Sequence, residues 1–551
     1  MIIHRSIGMI AGAAFLCASS LASGQVARAD AQKDPVLKAM LEELDRSVSQ
    51  LQLPGFQKPY FIQYRIEDLD DFGTQAAFGA SQGSSHAHQR VARIVVRVGD
   101  YKVDSSSLRG NDTVELSSVD DDPIALRSSL WAGTDQAYKN ALSFYAQKQA
   151  ALKQVQTPPQ SDDFSKEKPI VSLADPLKLN LDEREWIDRV AHDSGIYRTD
   201  SSVNVTQHDV QYSSASFHAR VVTTWIVNSE GTIVRKSGGY YQESIGVGTQ
   251  AADGMHLDRS YATTGVTLKD LDTPEVFRKN VVSLITSLTD LRNAPVVEEE
   301  YHGPLLLSSD ASADTMRVLL ASGLTATRPK LGTEARTNGP FASSYHARVL
   351  PEFLDVVDDP ALKSDAGKGL VGSYAVDDEG VAAQDVKLIT EGRLENYLIG
   401  RTPVRDFPES NGHGRAGVVG PAHPAIAVLK VTARNGLSDE ELNLKLISLA
   451  RERSLKCAYF VSTLGAEATP RLLYRVDLDG KRTLVRGAVL DDLDQRSLRT
   501  SVEAAGKEQW VTNYAGEVPE TVLAPALLFN EVTVRRANEK HDKLPFYPPP
   551  E

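Results

Sequence analysis

Cysteine is nearly absent: two residues in 551, Cys17 and Cys457. Cys17 falls in an N-terminal leader-like stretch, so a processed chain retains Cys457 alone, which excludes an internal disulfide. Cys457 sits in the apolar run LKCAYFVSTL and reads as a small core residue, not a reactive thiol. Long hydrophobic runs are lacking as well. Ile7 to Ala22 is serine-interrupted and shorter than the about 20 apolar residues a membrane helix needs. A short basic start, this apolar run and Ala27-Arg28-Ala29 before Asp30 predict a cleaved signal peptide over 1–29 and a periplasmic or secreted destination. Lipidation of Cys17 is disfavoured by the bulky Leu16 that precedes it. Positive charge is in deficit. The formal charge of −13 becomes −15 once Arg5 and Arg28 leave with the leader, and no Lys/Arg stripe interleaves with aromatics, so a nucleic-acid partner is excluded.

The hydrophobic content of 41% supports a large core, and the length suggests two or more domains. Residues 35 to 51 place Leu37, Leu41, Leu44, Val48 and Leu51 on one helical face. Strands are expected over Tyr60 to Ile66 and Ala92 to Val98, and a long helix from Pro123 to about Val155. The polar segment Thr157 to Lys168 reads as a linker or surface loop. A short helix follows over Glu183 to His192, then alternating strands from Val203 to Val247 turning at Asn228-Ser229-Glu230-Gly231. Thr273 and Pro274 open a helix whose face is Phe277, Val281, Leu284, Ile285, Leu288 and Leu291. A boundary near Pro295 divides the chain into domains 30–297 and 298–551. Further on, Ser438 and Glu441 form a capping box, and Asp479-Gly480 turns a hairpin. Strands and helices without βαβ alternation predict an α+β fold of two domains, the second sheet-rich and built on β-meanders.

The most informative stretch runs from Gly372 to Arg415. Turns at Asp378-Glu379-Gly380 and Thr390-Glu391-Gly392 separate alternating runs, Val381 to Leu388 and Leu394 to Ile399, which predicts a meander opening into an irregular loop over Arg401 to Arg415. The order G-x-Y-x-V-D-D-E-G-V-x-A-Q, E-G-x-L-x-x-Y-L, Gly400-Arg401-Thr402 and S-N-G-H-G-R resembles the C-terminal domain of the TldD/PmbA family. These are metallopeptidase-related proteins, formerly termed modulators of DNA gyrase, some of which process small peptide precursors. ARIVVRVGDYKVDS from Ala92, WIVNSEGTIV from Trp225 and VLPEFLDVVDDP from Val349 extend the resemblance over nearly the whole mature chain. The acidic balance gives the gyrase role no support.

In this family zinc is the metal, and a His-Glu-three-residues-His stretch supplies ligands and general base on the helix after the first C-terminal-domain strand. The strand reads here as Gly303 to Ser308 and the helix as Ala311 to Ala321, which contains neither His nor Glu. It offers Ser312, Asp314, Thr315 and Arg317, so no metal ligands, no catalytic residues and no cofactor are assigned. The resemblance places the loop after the meander near a cavity, which makes Asn411, His413 and Arg415, with Asp378 and Glu379 from the acidic turn, the candidate substrate-binding residues; Arg415 suits a peptide carboxylate. The bland alternative is that they are solvated turn residues. Gly79-Ala80-Ser81-Gln82-Gly83 fits a nucleophile elbow only by pattern, and Gly246-Val247-Gly248 is half a dinucleotide fingerprint without its helix. His86 and His88 are spaced for one strand face but read as part of a polar loop with no third ligand.

Three readings follow from the resemblance. The first is an exported protein acting in proteolysis of short or unfolded peptides, as the subunit type that lacks the metal motif and pairs with a related motif-bearing subunit or with itself. The second is a non-catalytic peptide-binding scaffold, a pseudoenzyme on the same fold. The third is hydrolysis through unassigned ligands among His346, His413 and His423.

Overall fold

The computed structural model describes residues 28–106, 112–203, 210–465 and 469–537. The expected leader lies outside them apart from its last two residues, as does Cys17. The helix Pro35–Gln50 starts where Asp34 accepts from the Val36 and Leu37 amides. It buries Leu37, Leu41 and Leu44 as its periodicity predicts, but Val48 is exposed and Ser47 takes the inward place, held by the Tyr64 hydroxyl.

A seven-stranded sheet occupies the first half, with strands β1 (Phe61–Ala77), β2 (Ala80–Arg97), β3 (Asp112–Ser117), β4 (Val171–Leu173), β5 (Tyr212–Asn228), β6 (Ile233–Gln250) and β7 (His256–Gly265). The order is β3-β2-β1-β5-β6, with β4 and β7 both on the outer edge of β6. All pairs are antiparallel except β4 with β6. The two strands expected as short runs are one long hairpin turning at Phe78-Gly79. His86 and His88 are therefore strand residues, not loop residues: β2 pairs with β1 throughout, and polar side chains on both strands disguise the ladder. His86 contacts Asp70 and Glu183, and His88 contacts Asp68.

Side-chain alternation gives the β1–β2 hairpin two different faces. Ile62, Tyr64 and Ile66 with Ala92, Ile94 and Val96 pack under the helices Pro35–Gln50 and Pro123–Leu152. Phe61, Gln63 and Arg65 with Arg93, Val95 and Arg97 face the other way. Farther along the sheet, the helix Pro274–Asn293 begins at its Thr273 cap and buries all six residues of its predicted face, each contributing on the order of 1.5–3 kcal/mol.

The second half is an eleven-stranded mixed sheet. Its centre is the strand Glu520–Arg536, flanked by β8 (Tyr301–Leu307) and by the parallel strand Val428–Ala433. The expected meander lies at the rim of this sheet and is shorter than its alternating runs suggest. Only Val386–Thr390 and Arg393–Leu394 are strands; they form the sheet edge, beside β9 (Leu354–Asp358). Val381 to Asp385 is held instead by buried Asp377, whose carboxylate accepts from the Val381 amide at 2.8 Å. The turn at Glu391-Gly392, with φ of 51° and 71°, the capping box of Ser438 and Glu441, and the hairpin at Gly480 are as read from sequence.

Candidate functional site

A cavity of about 780 Å³ lies between the second face of the β1–β2 hairpin and loops of the C-terminal half. Its floor is the alternate set Phe61, Gln63, Arg65, Arg93, Val95 and Arg97. Loop residues Arg328, Lys330, Asp378, Glu379 and Arg401 close it from the other side, with Lys148 contributed by the helix Pro123–Leu152.

The segment Thr157 to Lys168 is a loop exposed over much of its length, but its centre is buried. Asp163, Phe164 and Ser165 are buried, with Phe164 lining the cavity, because the polar groups satisfy Lys148, Arg328 and Arg401 and the phenyl ring packs against guanidinium groups. Phe164 lies between two guanidinium groups, with Arg97 at 3.8 Å and Arg401 at 4.0 Å from the ring centroid. Asp163 takes ion pairs from both Lys148 and Arg328. Arg97 pairs with Asp104 at 2.7 Å; burial opposes ionisation of that carboxyl, yet Arg97 and the Ser106 bonds hold it down to about 2. Nothing in the sequence marks this strap except its single aromatic among polar residues.

The acidic turn is a buried junction. Asp377 accepts from the amides of Glu379, Val381 and Gly414. Burial pushes the Asp377 and Glu379 carboxyls upward, and Glu379 adds repulsion on Asp377. Asp378 behaves oppositely: burial disfavours its charge, but Lys236 at 2.6 Å, Arg415 and Arg65 hold it well below the usual range. Glu379 occupies space left by two glycines, since a Cβ at Gly400 or Gly414 would overlap its carboxylate.

Of the five candidate binding residues, Asp378 and Glu379 line the cavity and the other three are not among its lining residues. Asn411 braces the loop, accepting from the Ile399 amide and donating to the Tyr397 carbonyl. His413 is fully buried with Nε2 at 3.3 Å from Asp358. Arg415 lies over Tyr374 and faces Asp378 at 3.6 Å. None of the three is a solvated turn residue. Nor do the three histidines converge: His346 is on Glu395, and His423 on the Pro421 carbonyl. The residues missed by sequence reading are the arginines of β1 and β2; the available signal was the four-residue spacing of Arg93 and Arg97, which puts them on one strand face.

The helix after β8 starts two residues earlier than expected, at Ser309 with Ser308 as cap, and runs through a π turn at Met316–Leu320 to Leu324. It thereby gains Asp310. Burial and Asp314 push the Asp310 carboxyl up to about 6, and burial also raises Asp314, which accepts from the Tyr514 hydroxyl at 2.7 Å. Carboxyls whose surroundings favour the proton, with no imidazole or thiolate on the helix, do not fit a peptidase zinc site. Among the described residues no group of three or more His, Cys, Asp or Glu side chains is placed to hold a metal ion.

Residues 300–455 match the model of the PmbA/TldA metallopeptidase C-terminal domain. Solved structures of similar fold include TldE from Thermococcus kodakarensis, at TM-score 0.60 and 14% identity, covering 90% of this chain and 100% of that one. A candidate DNA gyrase modulator from Thermotoga maritima follows at 0.59 and 16%, covering 90% and 100%. A second, from Bacteroides thetaiotaomicron, stands at 0.57 and 11%, covering 91% and 98%. A search of curated protein sequences found no match. Residues 300–455 thus carry the C-terminal domain of the PmbA/TldA metallopeptidases, and the chain as a whole shares the α+β fold of the TldE and gyrase-modulator structures.

Proposed function

We propose that this chain is the peptide-binding subunit, without a metal motif of its own, of an exported system that processes short or unfolded peptides. The carrying observation is a pair of features: a cavity of about 780 Å³ suited to a few residues of extended chain, and a helix after β8 devoid of His and Glu. Hydrolysis at neutral pH by metal-bound water needs a ligand set that lowers the water's pKa from about 15.7 to about 7, and this helix does not supply one. Chemistry would then come from a related subunit that carries the His-Glu stretch, while this chain holds peptide. The likeness to TldE supports the fold on which such a subunit is built.

The test is peptide cleavage by the purified chain alone, by a motif-bearing relative from the same genome alone, and by the two together. Cleavage that requires both and is abolished by chelator is the expected result. Chelator-sensitive cleavage by this chain alone would overturn the reading.

A further inference from the structure

Arg65 and Arg93 are cross-strand partners: the register of β1 and β2 sets them directly opposite each other on the cavity face. Both are buried, at 3% and 6% exposure. Like charges in this position repel, and burial removes the water that would screen them. The cost is visible in Arg93, where burial and the Arg65 charge together depress the guanidinium to about 10.

The surrounding groups only partly compensate. Arg93 meets the Asp112 carboxylate and the Val419 carbonyl. Arg65 donates to the Gly417 and Gly420 carbonyls, which satisfy hydrogens without cancelling charge. Its nearest carboxyl, Glu67 at 3.6 Å, is pushed by burial up to about 7, and the ionised Asp378 that Arg65 helps to hold is shared with Lys236 and Arg415. The Nε atoms of Arg65, Arg93, Arg97 and Arg401 are all buried without a hydrogen-bond partner, and all four residues line this one cavity. A buried donor left unpaired costs about 1–3 kcal/mol, more when charged. Four around one cavity, three on its floor and Arg401 opposite, in a protein whose overall charge is −13 point to a ligand that supplies acceptors and negative charge. Planar carboxylates match the guanidinium fork.

Building on the peptide-binding reading above, we propose that the cavity is a carboxylate-recognition site selecting peptides with acidic side chains or a free C-terminus. The Arg65–Arg93 pair receives the carboxylate, and Arg97 and Arg401, stacked on Phe164, flank it. Lys330 at the exposed rim attracts the approaching anion.

The experiment titrates fluorescein-labelled hexapeptides into the full mature chain. One carries Glu side chains and a C-terminal amide, one is neutral with a free C-terminus, and one is neutral and amidated. The carboxylate-bearing peptides are expected to bind at least about tenfold more tightly than the neutral amide, with the first two separating side-chain from terminal recognition. Arg93→Gln should erase most of that preference, and Lys330→Gln, at an exposed position, should weaken it without touching the fold. Equal affinity for all three peptides overturns carboxylate selection and leaves peptide binding standing. If no peptide binds, glutarate decides: a rise in Tm with the wild type that Arg93→Gln and Lys330→Gln both diminish upholds the anion site and removes the peptide reading. No shift with glutarate overturns the proposal.

Discussion

Ser165 and Arg401 bond to each other twice: the Ser165 amide donates to the Arg401 carbonyl at 2.9 Å, and Arg401 Nη2 donates to the Ser165 carbonyl at 2.6 Å. The same guanidinium pairs with Glu230 at 2.8 Å in the hairpin between β5 and β6. One buried side chain therefore ties the strap, the N-terminal sheet and the C-terminal loop together.

Arg401→Ala should lower stability by about 3–5 kcal/mol, because it strands Glu230 as a buried charge and removes the cation from two aromatic faces. Urea denaturation followed by tryptophan fluorescence reads this directly. Arg401→Lys should recover little, since an ammonium cannot reproduce the planar fork.

Gly400→Ala places a methyl group against the Glu379 carboxylate, which is fixed by the Arg401 amide at 2.5 Å. Loss of that bond should destabilise the fold by about 1–3 kcal/mol. The same substitution in Glu379→Ala, where the space is free, should cost less than the sum of the two single changes. Strict additivity would show that the two positions do not share the cavity wall.

Asp310 sets a pH dependence. Its carboxyl rises from 3.8 to about 6 on folding, so between those values the folded chain holds a proton that the unfolded chain has released. Stability from this group is complete below about 4 and is lost as pH rises through about 6. Asp310→Asn, which mimics the protonated form, should flatten the urea midpoint over this window. An unchanged pH profile would assign the effect elsewhere.

The chain purified alone is expected to carry no stoichiometric zinc after dialysis, as measured by plasma mass spectrometry. One zinc per chain, lost on His413→Ala or His346→Ala, would reveal a site outside the helix after β8.

Protein recovered from its native host should begin near Asp30, by intact mass. A species that retains Cys17 with acyl chains would count against the proposed leader and in favour of a lipid anchor.

The elements read correctly from sequence are those whose residues carry their own local instructions. Thr273-Pro274 starts its helix, Ser438 and Glu441 box theirs, and Gly480 turns its hairpin regardless of distant partners. What escaped reading depends on pairing across the chain. β1 and β2 continue through polar stretches because each supplies the other's hydrogen bonds, and no local propensity announces that. Asn411, His413 and Arg415 were placed in the right loop, yet their side chains turn inward to brace it; polar residues in an irregular segment look alike whether they bind a ligand or the backbone. The arginine wall was written in the even spacing of Arg93 and Arg97, but Arg65 joins it only when β1 and β2 are set in register.

The strand at the middle of the C-terminal sheet is also the last in chain order among that sheet's described strands. Glu520–Arg536 pairs with β8 on one side and Val428–Ala433 on the other, so before it exists those two parts of the sheet share no ladder. At about 5–20 residues per second, translation from β8 to this strand takes on the order of 10–50 s. Throughout that interval β8 presents an open apolar edge, Leu305 to Leu307, to any neighbouring chain. Assembly of this half is thus late and abrupt, and the growing polypeptide is a natural client for chaperones that hold extended chains.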